Sequence, residues 1–169
     1  SQTCSHHQGF TLDWITDGNP ETAGVMNQGV LAPGEKGFIV YDLEAAYKIG
    51  GATLDYSYRT AVGYNTLYGA SDPEGPWTEI LRFDDISGLA NVTRKVETKY
   101  LDKPADAPEY RYIKLEGEKP GGVYNINELE IYAVVAVHYN WTQNLILGKS
   151  PVSQTCSHHQ GFTLDWITD

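Results

Sequence analysis

The sequence predicts an all-β chain, a sandwich or barrel of roughly eight short strands. Three observations predict it. Apolar and β-branched residues recur at every second position in several runs, the spacing of half-buried strands. Clusters of Gly, Pro, Asn and Asp separate those runs. No stretch carries an amphipathic helical period over three turns.

Residues 11–15 mix apolar and polar side chains and lead into Asp17, Gly18, Asn19 and Pro20, a dense turn signal. Residues 21–36 hold several glycines and Pro33 and read as loop. Residues 37–43 (GFIVYDL) form a compact strand. Residues 48–59 place Leu54, Tyr56 and Tyr58 at alternate positions and form another. Residues 65–71 are a strand, 72–76 (DPEGP) a turn and 77–83 the strand after it. Residues 91–100 alternate Val92, Arg94, Val96, Thr98 and Tyr100. Residues 102–108 are a Pro-rich loop, and 110–115 and 124–133 are strands.

The chain of 169 residues is long enough for one domain with a real core. Its net charge of −10 and the absence of any Lys/Arg run argue against nucleic-acid binding, which needs a basic patch. No apolar stretch reaches the length of a membrane span.

Residues 1–17 (SQTCSHHQGFTLDWITD) recur without substitution at 153–169. Such self-similarity points to a repeat about one domain long. An engineered duplication would look the same. Cys4 and Cys156 are one position of this repeat, a buried thiol or a cross-link between neighbouring repeats. Residues 144–152 (NLILGKSPV) precede the second copy, and the first copy has no equivalent before it. A sheet that lacks a strand exposes backbone groups that another strand can pair. The tail from Asn144 is therefore expected to complete a sandwich, its own or a neighbour's. Donation to a neighbour would be head-to-tail and would build filaments.

Six segments resemble the discoidin, or coagulation factor 5/8 type C, domains, whose relatives include bacterial carbohydrate-binding modules of the galactose-binding type. They are NLILGK at 144–149, ITDGN at 15–19, FIVYDL at 38–43, LYGASD at 67–72 with Trp77, YRYIKL at 110–115 and INELEIY at 126–132. The resemblance spans about one repeat. It implies an eight-stranded antiparallel jelly-roll β-sandwich with residues 1–133 as a sandwich lacking its own first strand. Residues 134–143 are then a linker and 144–169 the opening segment of the next repeat, a candidate donor strand.

The resemblance also implies sites. Many such domains hold a structural Ca2+ at the Asp-Gly-Asn loop. Here Asp17 would offer its carboxylate, Trp14 and Asn19 backbone carbonyls, Thr22 a carbonyl and hydroxyl, and Glu128 would reach across from the last strand. A purely structural reading has Asp17 capping a turn and Glu128 making a local hydrogen bond. Sugar-binding relatives use a His and Arg residues on loops at one end of the sandwich. His6, with His7 beside it, and Arg59 match in part, Tyr64 offers an apolar platform, and Asn65 or Thr66 stands where a second arginine is expected. The alternative is that the histidines are surface residues and Arg59 pairs with a carboxylate.

Asn91 and Asn140 head N-x-T glycosylation sequons. No nucleophile motif accompanies the histidines; Asp84 and Asp85 are an acidic pair in a loop, and neighbours on a strand would face opposite ways. The sequence thus reads as a non-enzymatic, extracellular or cell-surface module, the repeating structural or adhesive unit of a fibre built from copies of itself. The alternative is a calcium-stabilised, lectin-like carbohydrate-binding module with glycan partners. Nucleic acid and membrane insertion are not expected.

Overall fold

A computed structural model describes residues 12–26, 36–58, 64–84, 94–118, 124–134 and 144–154. Among them are eight strands: β1 (Gly24–Met26), β2 (Lys36–Tyr58), β3 (Asn65–Ala70), β4 (Thr78–Arg82), β5 (Lys95–Tyr100), β6 (Glu109–Glu118), β7 (Tyr124–Ala133) and β8 (Ser153–Gln154). Every pairing is antiparallel. The only helices among the described residues are two 3-10 segments, Leu12–Thr16 and Pro104–Asp106.

β2 organises the molecule. The sequence predicts two strands here, at 37–43 and 48–59. The structure makes them one, with a register shift between Asp42 and Tyr47. Glu44 takes a φ of 71° at this bend, and its N–H bonds Asp42 Oδ1 at 2.7 Å. The N-terminal half of β2 joins β6, β3, β4 and β8, and the C-terminal half joins β7, β1 and β5. Bending one strand through two sheets makes a sandwich corner. The alternation then places Ile39, Tyr41 and Leu43 from one half and Leu54 and Tyr56 from the other in a single core. Ile113, Leu115 and Leu67 fill it from β6 and β3.

Residues 126–132 (INELEIY) do not alternate cleanly. Ile126, Leu129 and Ile131 are all buried, although strict period two would put Ile126 on the opposite face from the others. A bulge resolves this: Asp55 pairs with Glu128 and Tyr56 with Ile126, so Asn127 is the extra residue. The segment 21–36, expected to be loop, contributes the short strand β1 against β7. Gly69 in β3 lies under the Tyr110 ring, where a Cβ would come within 2.3 Å of it.

The described part of the tail is seated on its own chain. Asn144 bridges Tyr132 of β7, and its side-chain oxygen accepts the Ile131 N–H at 3.1 Å. Leu145 and Ile146 enter the core, Ile146 fully buried. Each such side chain contributes about 1.5–3 kcal/mol by leaving water. The chain then turns at 145–148, with Gly148 at φ 71°. It contacts the Leu12–Thr16 segment and pairs as β8 with Ile39 and Val40. One segment therefore lies along an edge of both sheets.

Candidate functional site

The Leu12–Thr16 turn buries Ile15 in the core and delivers Asp17 to a surface loop. Gly18 follows at φ 77°, a conformation that favours glycine. The loop then knits itself together. Asn19 N–H donates to Asp17 Oδ1 at 2.8 Å, Glu21 N–H to Asn19 Oδ1 at 3.2 Å and Thr22 N–H to the Asn19 carbonyl at 3.1 Å. The Thr22 hydroxyl stands 2.9 Å from Asp17 Oδ2 and 2.7 Å from the Asn19 carbonyl, and its one hydrogen serves them in turn.

The β7 bulge brings two side chains to this loop. Asn127 Nδ2 donates to the Pro20 carbonyl at 3.1 Å, and the Gly18 N–H donates to Glu128 Oε2 at 3.0 Å. Asp17, Asn19, Thr22 and Glu128 are thus brought together. Trp14 lies in the adjoining 3-10 turn, half-buried.

Glu128 is 6 % exposed, and its Oε1 is buried without a hydrogen-bond partner. Burial is the main reason its carboxyl is pushed up to about 8. The Gly18 N–H opposes the rise, and Asp17, Glu130 and Asp55 add to it. The Tyr41 phenol is also buried and without a partner, and burial, with Glu128 and Asp13 nearby, drives its pKa up. Among the described residues no three His, Cys, Asp or Glu side chains come together as a metal cluster. The remaining oxygens here are carbonyl, amide and hydroxyl. A donor set of oxygens only, with one buried carboxylate oxygen unpartnered, fits a hard cation such as Ca2+ and does not fit a soft one.

A second candidate lies at the start of β3. Tyr64 is 42 % exposed, and the Arg82 guanidinium sits 5.3 Å from its ring centroid. The two line a cleft of about 60 Å3 with Lys36, Thr66, Glu116 and Gly117. Glu116 accepts from Lys36 and Lys114, each at 3.1 Å. Burial would raise the Glu116 carboxyl, but these two ammonium groups outweigh it and hold it below its ordinary value. Asn65 is turned inward and buried, and its carbonyl accepts the Phe83 N–H at 2.8 Å. His6, Arg59 and the sequons at Asn91 and Asn140 lie outside the described residues, as do both cysteines. The sequence reading did not single out Arg82, Lys36 or Glu116. They lie on three different strands, and only the pairing of β2, β6, β3 and β4 makes them neighbours.

These features define a discoidin-type sandwich with an oxygen-lined loop at one position and a tyrosine-flanked cleft at another. Known structures bear out that fold. A family 32 carbohydrate-binding module from Clostridium perfringens, solved in complex with GalNAc-β-1,3-galactose, is similar with a TM-score of 0.56 and 18% identity, over 78% of this chain and 91% of that one. Chitosan-binding module 1 of a chitosanase/glucanase from Paenibacillus sp. IK-5 gives a TM-score of 0.55 and 19% identity, over 78% and 92%. The CBM32-1 module of a Clostridium perfringens family 31 glycoside hydrolase gives 0.56 and 15%, over 78% and 91%. No family model and no curated protein matches the chain. Among the described residues no helix is long and apolar enough to cross a membrane.

Proposed function

We propose that the chain is a non-catalytic, extracellular carbohydrate-binding module stiffened by calcium. The observation that carries this reading is its fold, shared along nearly the whole length of modules described as chitosan-binding or solved with a bound galactoside. The glycan face is the loop end around Tyr64, where an exposed ring can stack on a sugar and Arg82 and Lys36 can donate to hydroxyls. Arg59 and His6 would complete it. Asp17, Asn19, Thr22 and Glu128 would hold the cation, with the Trp14 carbonyl. When bound, the ion supplies a fixed positive charge that replaces the proton on Glu128. The loop's own hydrogen bonds hold Asp17 and Thr22 in place for it.

The test is titration calorimetry of the protein with GalNAc-β-1,3-galactose and with chitosan oligosaccharides, backed by a glycan array. Binding that falls at least about tenfold in both Arg59→Ala and Tyr64→Ala variants supports the reading. An array without a single hit from a folded protein sinks it.

A second reading is favoured by a specific observation, the exact 17-residue duplication. In it the module is a repeating unit of a surface adhesin or fibre, and repetition multiplies weak contacts. The intact mass of the native material under denaturing, reducing conditions tests it. Whole multiples of one repeat support a covalent array. A mass near 18.8 kDa leaves non-covalent assembly as the one form of this reading still open.

A further inference from the structure

The seat of the tail has a feature that the duplication makes consequential. Lys149 accepts the Thr16 hydroxyl at 2.7 Å through its carbonyl, and the Gly148 N–H donates to the Thr16 carbonyl. Thr16 lies 133 residues away along the chain. An identical LDWIT segment stands at 164–168, so Thr168 follows Lys149 by only 19 residues. The segment that grips the first copy is thus far closer in sequence to the second. Short closures cost less chain entropy than long ones. The sequence that this segment grips thus occurs twice in one chain.

The seat is also a sheet edge, not an internal strand. The Val152 N–H donates to the Val40 carbonyl at 2.7 Å, and the Leu145 N–H to the Ile131 carbonyl at 2.8 Å. Among the described strands β8 pairs with β2. Lys149 Nζ meets Glu44 at 3.0 Å. Such an edge accepts the same strand from any chain that carries it.

We propose that residues 144–154 form an exchangeable segment, and that the groove edged by Thr16, Val40 and Ile131 takes this segment from a second copy of the chain. The donor's segment replaces the receptor's own, contact for contact. Each copy carries one donor segment and one groove, so the contact is head-to-tail and extends into linear chains. This rests on the repeat reading and not on glycan binding. In a covalent array the segment would seat on either flanking module.

The experiment uses the full chain. Sedimentation velocity is run over a wide concentration range after refolding at high concentration. It is repeated with excess free peptide NLILGKSPVSQ, and with the same peptide carrying Ile146→Asp. The expected result is a ladder of dimers and longer species that grows with concentration. The wild-type peptide collapses it to monomer and the altered peptide does not. A full-length Ile146→Asp chain should stay monomeric and capture the wild-type peptide. Val152→Pro removes one edge hydrogen bond without touching the core, and should weaken the ladder severalfold if Ile146→Asp does not fold. A chain that is monomeric at every concentration and takes up no peptide overturns the exchange. The denaturing mass is read separately, so an array whose segments never exchange is distinguishable from no array.

Discussion

Two buried carboxylates face each other across neighbouring strands, Asp55 on β2 and Glu128 on β7. They are 4 % and 6 % exposed. Asp55 is answered by an arginine: Arg94 Nε stands 2.8 Å from its Oδ1, and Nη2 2.5 Å from its Oδ2. A second carboxylate, Glu21, shares that guanidinium at 3.2 Å. Among the described residues Glu128 has one backbone N–H and no Lys or Arg partner. The first pair is structural and complete, with its charge balanced within the protein. The second is incomplete, and its proton affinity rises accordingly. A carboxylate whose balance comes from outside the chain is the better candidate for a site. An acidic cluster alone does not make that distinction.

The comparison breaks most visibly at Arg94. Arg94→Met would leave Asp55 buried and unpaired, which costs about 3 kcal/mol, low in the usual range because the arginine side chain is 37 % exposed to water. The double change with Asp55→Asn should recover most of that loss. Urea denaturation of the three variants checks it. A single variant as stable as the parent would mean that solvent already balances Asp55.

Glu128→Gln sharpens the other half. A carboxyl raised to about 8 in the folded state binds its proton more tightly than in the unfolded chain, where it titrates near its ordinary value. Its contribution is therefore favourable at low pH and is lost as pH rises from about 5 to 8. The parent should lose on the order of 2–4 kcal/mol across that window without added cation. Glu128→Gln should flatten the loss. Millimolar Ca2+ should raise the parent's Tm at pH 8 and leave the variant's Tm unmoved. A parent with no pH slope and no response to chelator would remove both the raised carboxyl and the metal.

How much of this was readable in the sequence varies by element. The alternation at 48–59 is local, because the sheet's period of two is written residue by residue. The bend that fuses 37–43 with 48–59 is not. Glu44 is no glycine, and nothing in EAAY announces a positive φ. The Asp-Gly-Asn loop was legible as a turn, since its bonds run between residues two to five apart. The arrival of Glu128 depends on a bulge at Asn127, which shows in sequence only as two apolar residues set three apart, Ile126 and Leu129. The cleft beside Tyr64 was half legible: the tyrosine could be named, but Arg82 and Glu116 come from strands whose pairing the sequence leaves open.

The smallest effect expected is at Thr22. Its hydroxyl serves Asp17 and Asn19 at the surface, so Thr22→Val removes one exposed hydrogen bond and costs less than about 1 kcal/mol without calcium. If the loop holds Ca2+, the same change removes an oxygen from the cation's surroundings and frees Asp17 to move. Calcium affinity, read by titration calorimetry, should then fall severalfold although stability hardly changes. A variant that loses stability and calcium affinity in equal proportion would place Thr22 with Arg94, among the residues that balance the fold from within.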